Sequence, residues 1–90
     1  MHEFEVLADA VRRRLLSVLA LGEQSAGMLT DIAREEFGIS QPAVSQHLKV
    51  LRENGFATVR AEGTRRVYAL DQAGLDAASR ALARLSDPLG

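Results

Sequence analysis

Five residues constrain this chain more than any others. Gly38-Ile39-Ser40-Gln41-Pro42 separates two stretches of helical periodicity. Glycine is a common helix stop, serine a good N-cap, and proline is tolerated in a first turn because its missing N–H has no partner to lose there. Upstream, Ser25 is a second N-cap candidate, opening a segment that runs to about Phe37 with Leu29, Ile32, Ala33 and Phe37 on one face. Downstream, Val44, Leu48 and Leu51 recur at i, i+4 and i+7 in a segment ending at Asn54-Gly55. Two helices separated by so short a turn form a helix-turn-helix.

The rest of the chain places this pair. A short helix is expected over about Glu3 to Ala8 and a second over about Ala10 to Leu21, where Val11, Leu15, Val18 and Leu19 keep helical spacing and Gly22 stops it. After Gly55, Phe56–Arg60 and Arg65–Leu70 are β-rich runs flanking Ala61-Glu62-Gly63-Thr64, which predicts a hairpin. A last helix covers about Gln72 to Leu85 before Asp87-Pro88. The expectation is mainly α, in the order α-α-α-α-β-β-α, as one winged helix-turn-helix domain over residues 1–90. A chain this short buries roughly 60–65% of the surface it exposes when unfolded, which favours association with a second copy.

The net charge of -1 is unevenly spread. From Ile39 to Ala69, Lys49, Arg52, Arg60, Arg65 and Arg66 stand against Glu53 and Glu62, giving +3. The remainder, with six arginines and ten acids, is -4. Segregation of this kind suits one-sided contact with phosphates. With Val44, Leu48 and Leu51 turned inward, Gln41, Ser45, Lys49 and Arg52 line the opposite side of their helix, with Gln46 and His47 flanking them and Ser40 at the cap. Glutamine can pair bidentately with adenine, serine bonds either way, and lysine reads phosphate or guanine. Arg65 and Arg66 sit beside the hairpin tip, where they would reach phosphates or a minor groove. On adjacent strand positions they point opposite ways. Of Arg12, Arg13 and Arg14, which fan out around a helix, one is expected to bond to a neighbouring element or a phosphate and the others to be solvated.

Ile39 to Arg52 (ISQPAVSQHLKVLR) resembles the recognition-helix signature of the ArsR-type repressors, as do the wing from Glu62 to Leu70 and the second helix from Leu7 to Leu16. The resemblance covers about Phe4 to Leu85 and implies a homodimeric transcriptional regulator whose first and last helices form the dimer interface. It also implies that Gln41, Ser45, Gln46 and His47 face DNA. Phe4, Leu7, Leu75, Leu82 and Leu85 are the expected seam. The sequence departs from the pattern in a slightly longer third helix and a short C-terminal end.

Other functions fit poorly. The chain has no cysteine, which removes disulfides and thiolate metal sites. The third helix offers Thr30, Asp31, Glu35 and Glu36, the last offers Asp76 and no histidine, and the only histidines are His2 and His47, so no metal or other cofactor is expected. There is no phosphate-binding glycine loop and no catalytic constellation, so no enzyme is expected. No apolar run or leader points to a membrane, which makes the cytoplasm the expected compartment. The expected partners are double-stranded DNA and a second copy of the chain. The rival is a winged-helix protein-interaction module that does not bind DNA, disfavoured because protein interfaces prefer aromatic anchors and deplete lysine.

Overall fold

The computed structural model describes the backbone from Glu3 to Ser86, with all side chains in that range except those of Glu3, Ala81, Leu82, Arg84, Leu85 and Ser86. The order is α1 (Glu3–Ala8), α2 (Ala10–Ala20), β1 (Gln24–Ser25), α3 (Ala26–Phe37), α4 (Gln41–Glu53), β2 (Ala57–Glu62), β3 (Arg65–Leu70) and α5 (Gln72–Ser86). None of the described helices is long and apolar enough to cross a membrane.

Three helices begin with the same device. The side chains of Asp9, Ser25 and Ser40 accept the backbone N–H of Arg12, Met28 and Ala43, each three residues on. Such a cap satisfies an amide that has no intrahelical partner and is worth about 1 kcal/mol. α3 ends on Gly38 in the left-handed conformation, φ 65°, with its N–H donating to the Arg34 carbonyl. The stop and the start of the central turn are therefore built as the sequence dictates.

The core is aliphatic. Leu15, Leu29, Val44, Leu51 and Val6 are fully buried, joined by Phe56, Leu48 and Tyr68. The α4 stripe of Val44, Leu48 and Leu51 and the α2 stripe of Val11, Leu15, Val18 and Leu19 are buried as their spacing predicts. Phe37 departs from expectation: it is exposed at the end of α3, while Ile39 packs partly against the core.

The sheet has one strand more than the hairpin read from the sequence. β2 and β3 pair antiparallel, with Glu62 opposite Arg65, so Gly63 and Thr64 form a two-residue turn. β1 pairs with the other side of β3, Gln24 opposite Tyr68 and Ser25 opposite Val67, giving the order β1-β3-β2. Ser25 thus serves as strand and cap at once.

The arginine run of α2 is fully engaged, which corrects the expectation of one bonded and two solvated side chains. Arg12 donates to the carbonyls of Val6 and Glu5, and Arg13 to that of Leu7. These are C-terminal carbonyls of α1, a helix with no basic residue in its own last turn. Arg14 crosses to α3 and grips both oxygens of Glu36, at 2.8 and 2.9 Å. Its hydrogen bonds outweigh the effect of burial and hold the Glu36 carboxyl below its ordinary range.

Candidate nucleic-acid interface

Helix α4 starts at the Ser40 cap and presents Gln41, Ser45, Lys49 and Arg52 along one exposed strip. The strip forms one wall of an open groove of about 640 Å³. The second wall is α3, through Ala26, Gly27, Thr30, Asp31 and Arg34; the third is β3, through Arg66 and Tyr68. Four cations, Arg34, Lys49, Arg52 and Arg66, therefore line one concavity against a single acid, Asp31.

The pairing of charges sharpens this division. Among the described residues, Arg12, Arg13, Arg14 and Arg60 are held by protein partners. Arg60 on β2 lies between Glu23 and Glu62 and bonds to both. Lys49 has only a loose contact with Glu53, 3.9 Å along its own helix. No ion pair among the described residues involves Arg34, Arg52, Arg65 or Arg66. Cations left exposed without a protein counter-ion are the ones available to neutralise phosphates.

Arg65 and Arg66 divide as strand alternation requires. Arg66 reaches the α3–α4 groove, whereas Arg65 does not; both border a second cleft with Thr64, against Ser25, Ala26 and Gly27 at the start of α3. Ser40 remains exposed, its hydroxyl oxygen taken by the Ala43 amide. Gln46 is exposed but outside the groove.

His47 does not share the strip, and its expected orientation is corrected. It lies three residues from Val44 and four from Leu51, which puts it on the buried edge of α4. Its side chain is only 21% exposed, and Nδ1 points inward, 3.9 Å from Asp9 Oδ1. Arg34 is the converse. The sequence reading left it out, although it falls four residues after Thr30 on the same α3 face.

Of the expected seam residues, Phe4, Leu7 and Leu75 are half-buried, the last two packed at the margin of the core. The side chains of Leu82 and Leu85 lie outside the described residues. So does His2. Among the described residues no group of three or more His, Cys, Asp or Glu side chains could hold a metal ion.

The chain is similar to known proteins in sequence and in fold. A family model described as a helix-turn-helix domain matches residues 7–60. The chain is 46% identical over 74 residues to the HTH-type transcriptional regulator Rv2034 of Mycobacterium tuberculosis, covering 82% of this chain and 65% of that protein. It is 38% identical over 72 residues to the arsenical resistance operon repressor of Staphylococcus aureus, covering 80% and 65%. The chain thus spans just under two thirds of the length of these curated relatives. Among solved structures it is similar to a protein described as a possible transcriptional regulator for arsenical resistance, with a TM-score of 0.74, 45% identity and coverage of 89% and 78%. It is similar also to the ArsR family transcriptional regulator RHA00566, with a TM-score of 0.77, 25% identity and coverage of 92% and 81%.

Proposed function

The chain belongs to the helix-turn-helix domain family, as an ArsR-type winged helix-turn-helix regulator, and we propose that it represses transcription by binding duplex DNA as a homodimer. The observation that carries this reading is the groove: an exposed α4 strip in a concavity lined by four cations from three elements. An α-helix fits the major groove, where Gln41, Ser45 and Gln46 can meet base edges. Arg34, Lys49, Arg52 and Arg66 line the groove with Gln41 and Ser45, at positions suited to phosphates, and Ser40 starts the helix where its N-terminal amides also favour an anion.

The first and last helices would carry the dimer. α5 is a 15-residue amphipathic helix, yet among its described residues only Gly74, Leu75 and Ala78 are buried or half-buried. A second copy would cover the exposed side of α5 together with Phe4 and Leu7, as the resemblance implies. Two copies would set their α4 helices in successive major grooves, about 34 Å apart, on an inverted repeat. Occupancy of such a site near a promoter blocks transcription. The reading contains no metal-sensing and no catalytic step, and it places the protein in the cytoplasm with the DNA.

Selection from random duplex DNA, followed by footprinting of the recovered sequences, tests the proposal. The expected result is an inverted repeat with half-sites one helical turn apart, protected on one face of the duplex. Recovery of unrelated sequences, or of none, would overturn it.

A further inference from the structure

The helix that carries the polar strip meets α2 at one polar point, the approach of His47 to Asp9. Nδ1 of His47 is buried and has no hydrogen-bond partner. The nearest carboxylate oxygen is Asp9 Oδ1 at 3.9 Å, which is ion-pair range but beyond a hydrogen bond. That same oxygen already caps α2 by accepting the Arg12 amide at 3.0 Å. Burial pushes the Asp9 carboxyl up, but the Arg12 amide, the charges of His47 and Arg12 and the Val11 amide outweigh it and hold the group below its ordinary value. Asp9 is therefore an anion throughout the physiological range.

The surroundings leave this pair isolated. From α2, Arg12 turns its guanidinium away to the Val6 and Glu5 carbonyls, and Arg13 to that of Leu7. From α3, Glu36 is held by Arg14. From β2, Arg60 is held by Glu23 and Glu62. On α4 itself, Lys49, Arg52 and Glu53 are exposed, on the other side of the helix. Among the described residues Asp9 is the only carboxylate within ion-pair distance of His47.

We propose that His47 is a positioning residue for DNA binding, acting through Asp9: a proton on the imidazole closes Nδ1–H onto the Asp9 carboxylate, ties α4 to the N-terminus of α2, and makes DNA affinity rise as pH falls. The inference rests on the reading of α4 as the DNA-facing helix. Two physical points support it. A buried polar atom without a partner is costly, so a small inward shift that satisfies Nδ1 is favoured. Histidine is the side chain that changes charge between pH 5 and 8, and a proton that stabilises the binding-competent placement of α4 must, by linkage, be held more tightly in the complex. The tie fixes the register in which the strip meets the bases, and a misplacement of a fraction of an ångström there costs base contacts.

The test is the pH profile of DNA affinity for the full chain and three variants at constant ionic strength. For the parent, affinity should be about three- to tenfold higher at pH about 5.5 than at about 7.5. His47→Ala removes the imidazole and should bind weakly with a flat profile. His47→Asn keeps a neutral N–H near the position of Nδ1 and should recover affinity with the profile still flat. Asp9→Asn keeps a good N-cap while removing the anion, and should also flatten the profile. A parent profile that is flat, or one that survives unchanged in Asp9→Asn or His47→Ala, overturns the inference while leaving DNA binding intact. Absence of DNA binding by every protein at every pH, at low salt, overturns the reading of α4 itself and the inference with it.

Discussion

Gly74 in α5 meets Gly55, at the end of α4, backbone to backbone: a Cβ built on Gly74 would stand 1.9 Å from the Gly55 carbonyl oxygen and 2.7 Å from its carbon. The neighbouring chain is pinned, because the Phe56 N–H donates to the Leu51 carbonyl and the Phe56 carbonyl accepts from Asp71. Gly55 itself holds φ 80°, a conformation that suits glycine. The first turn of α5 is therefore docked on the connection between α4 and the wing.

Gly74→Ala should destabilise the domain by about 1–3 kcal/mol, since neither backbone can give way. Gly27→Ala provides the contrast. Gly27 is helical, and its Cβ would have only Ser25 Oγ near it, at 4.0 Å. That change should stabilise by about 0.5–1 kcal/mol through the lower entropy of the unfolded chain. Urea denaturation of the two variants checks both signs.

Acid should weaken the fold through Asp9. Its carboxyl is held below the ordinary range, so the stability it contributes is present above its unfolded-state value and is lost as pH falls through the lower, folded one. Glu36, held down by Arg14, acts in the same direction. Asp9→Asn retains the cap, so it should cost less than about 1 kcal/mol at neutral pH. It should also lose less stability than the parent on acidification below about pH 4. Thermal melts across that range provide the measurement.

Arg34 and Arg14 differ in role: one is exposed in the groove, the other is bonded to Glu36. Arg34→Ala should reduce the log–log salt slope of DNA binding by about 0.9, the contribution of one phosphate. Arg14→Ala should leave that slope unchanged. Equal effects would mean that the groove cations do not meet phosphate.

Much of this arrangement is legible in the sequence. The Val44, Leu48, Leu51 stripe fixes the inward side of α4 and with it the strip of Gln41, Ser45, Lys49 and Arg52. The same arithmetic places His47 beside Val44 and Leu51, a signal overshadowed by the neighbouring polar residues. β1 is only two residues long, too short for alternation to register, and Ser25 already reads as a cap. The partners of Arg12, Arg13 and Arg14 depend on how α1 and α3 pack against α2, which no local pattern encodes. Arg34 joins the groove only because the turn at Gly38 folds α3 back over α4.

Lys49 and Gln46 should separate affinity from specificity. Lys49→Ala should weaken binding to all duplexes alike and flatten the salt slope, as loss of a phosphate contact would. Gln46→Ala should change which base is preferred at one position, by about 1–3 kcal/mol if a bidentate pair is lost. Binding to a panel of single-substitution duplexes distinguishes the two. Parent-like behaviour of both would mean that the DNA-facing strip is misplaced.

The α4 strip and its cations should bind DNA with sequence preference. The most direct measurement is fluorescence anisotropy of the purified protein with duplex from upstream of its own gene and with random duplex, at two salt concentrations. Tighter binding to the upstream duplex and a steep loss of affinity as salt rises are expected. No binding to either duplex at low salt would contradict this expectation.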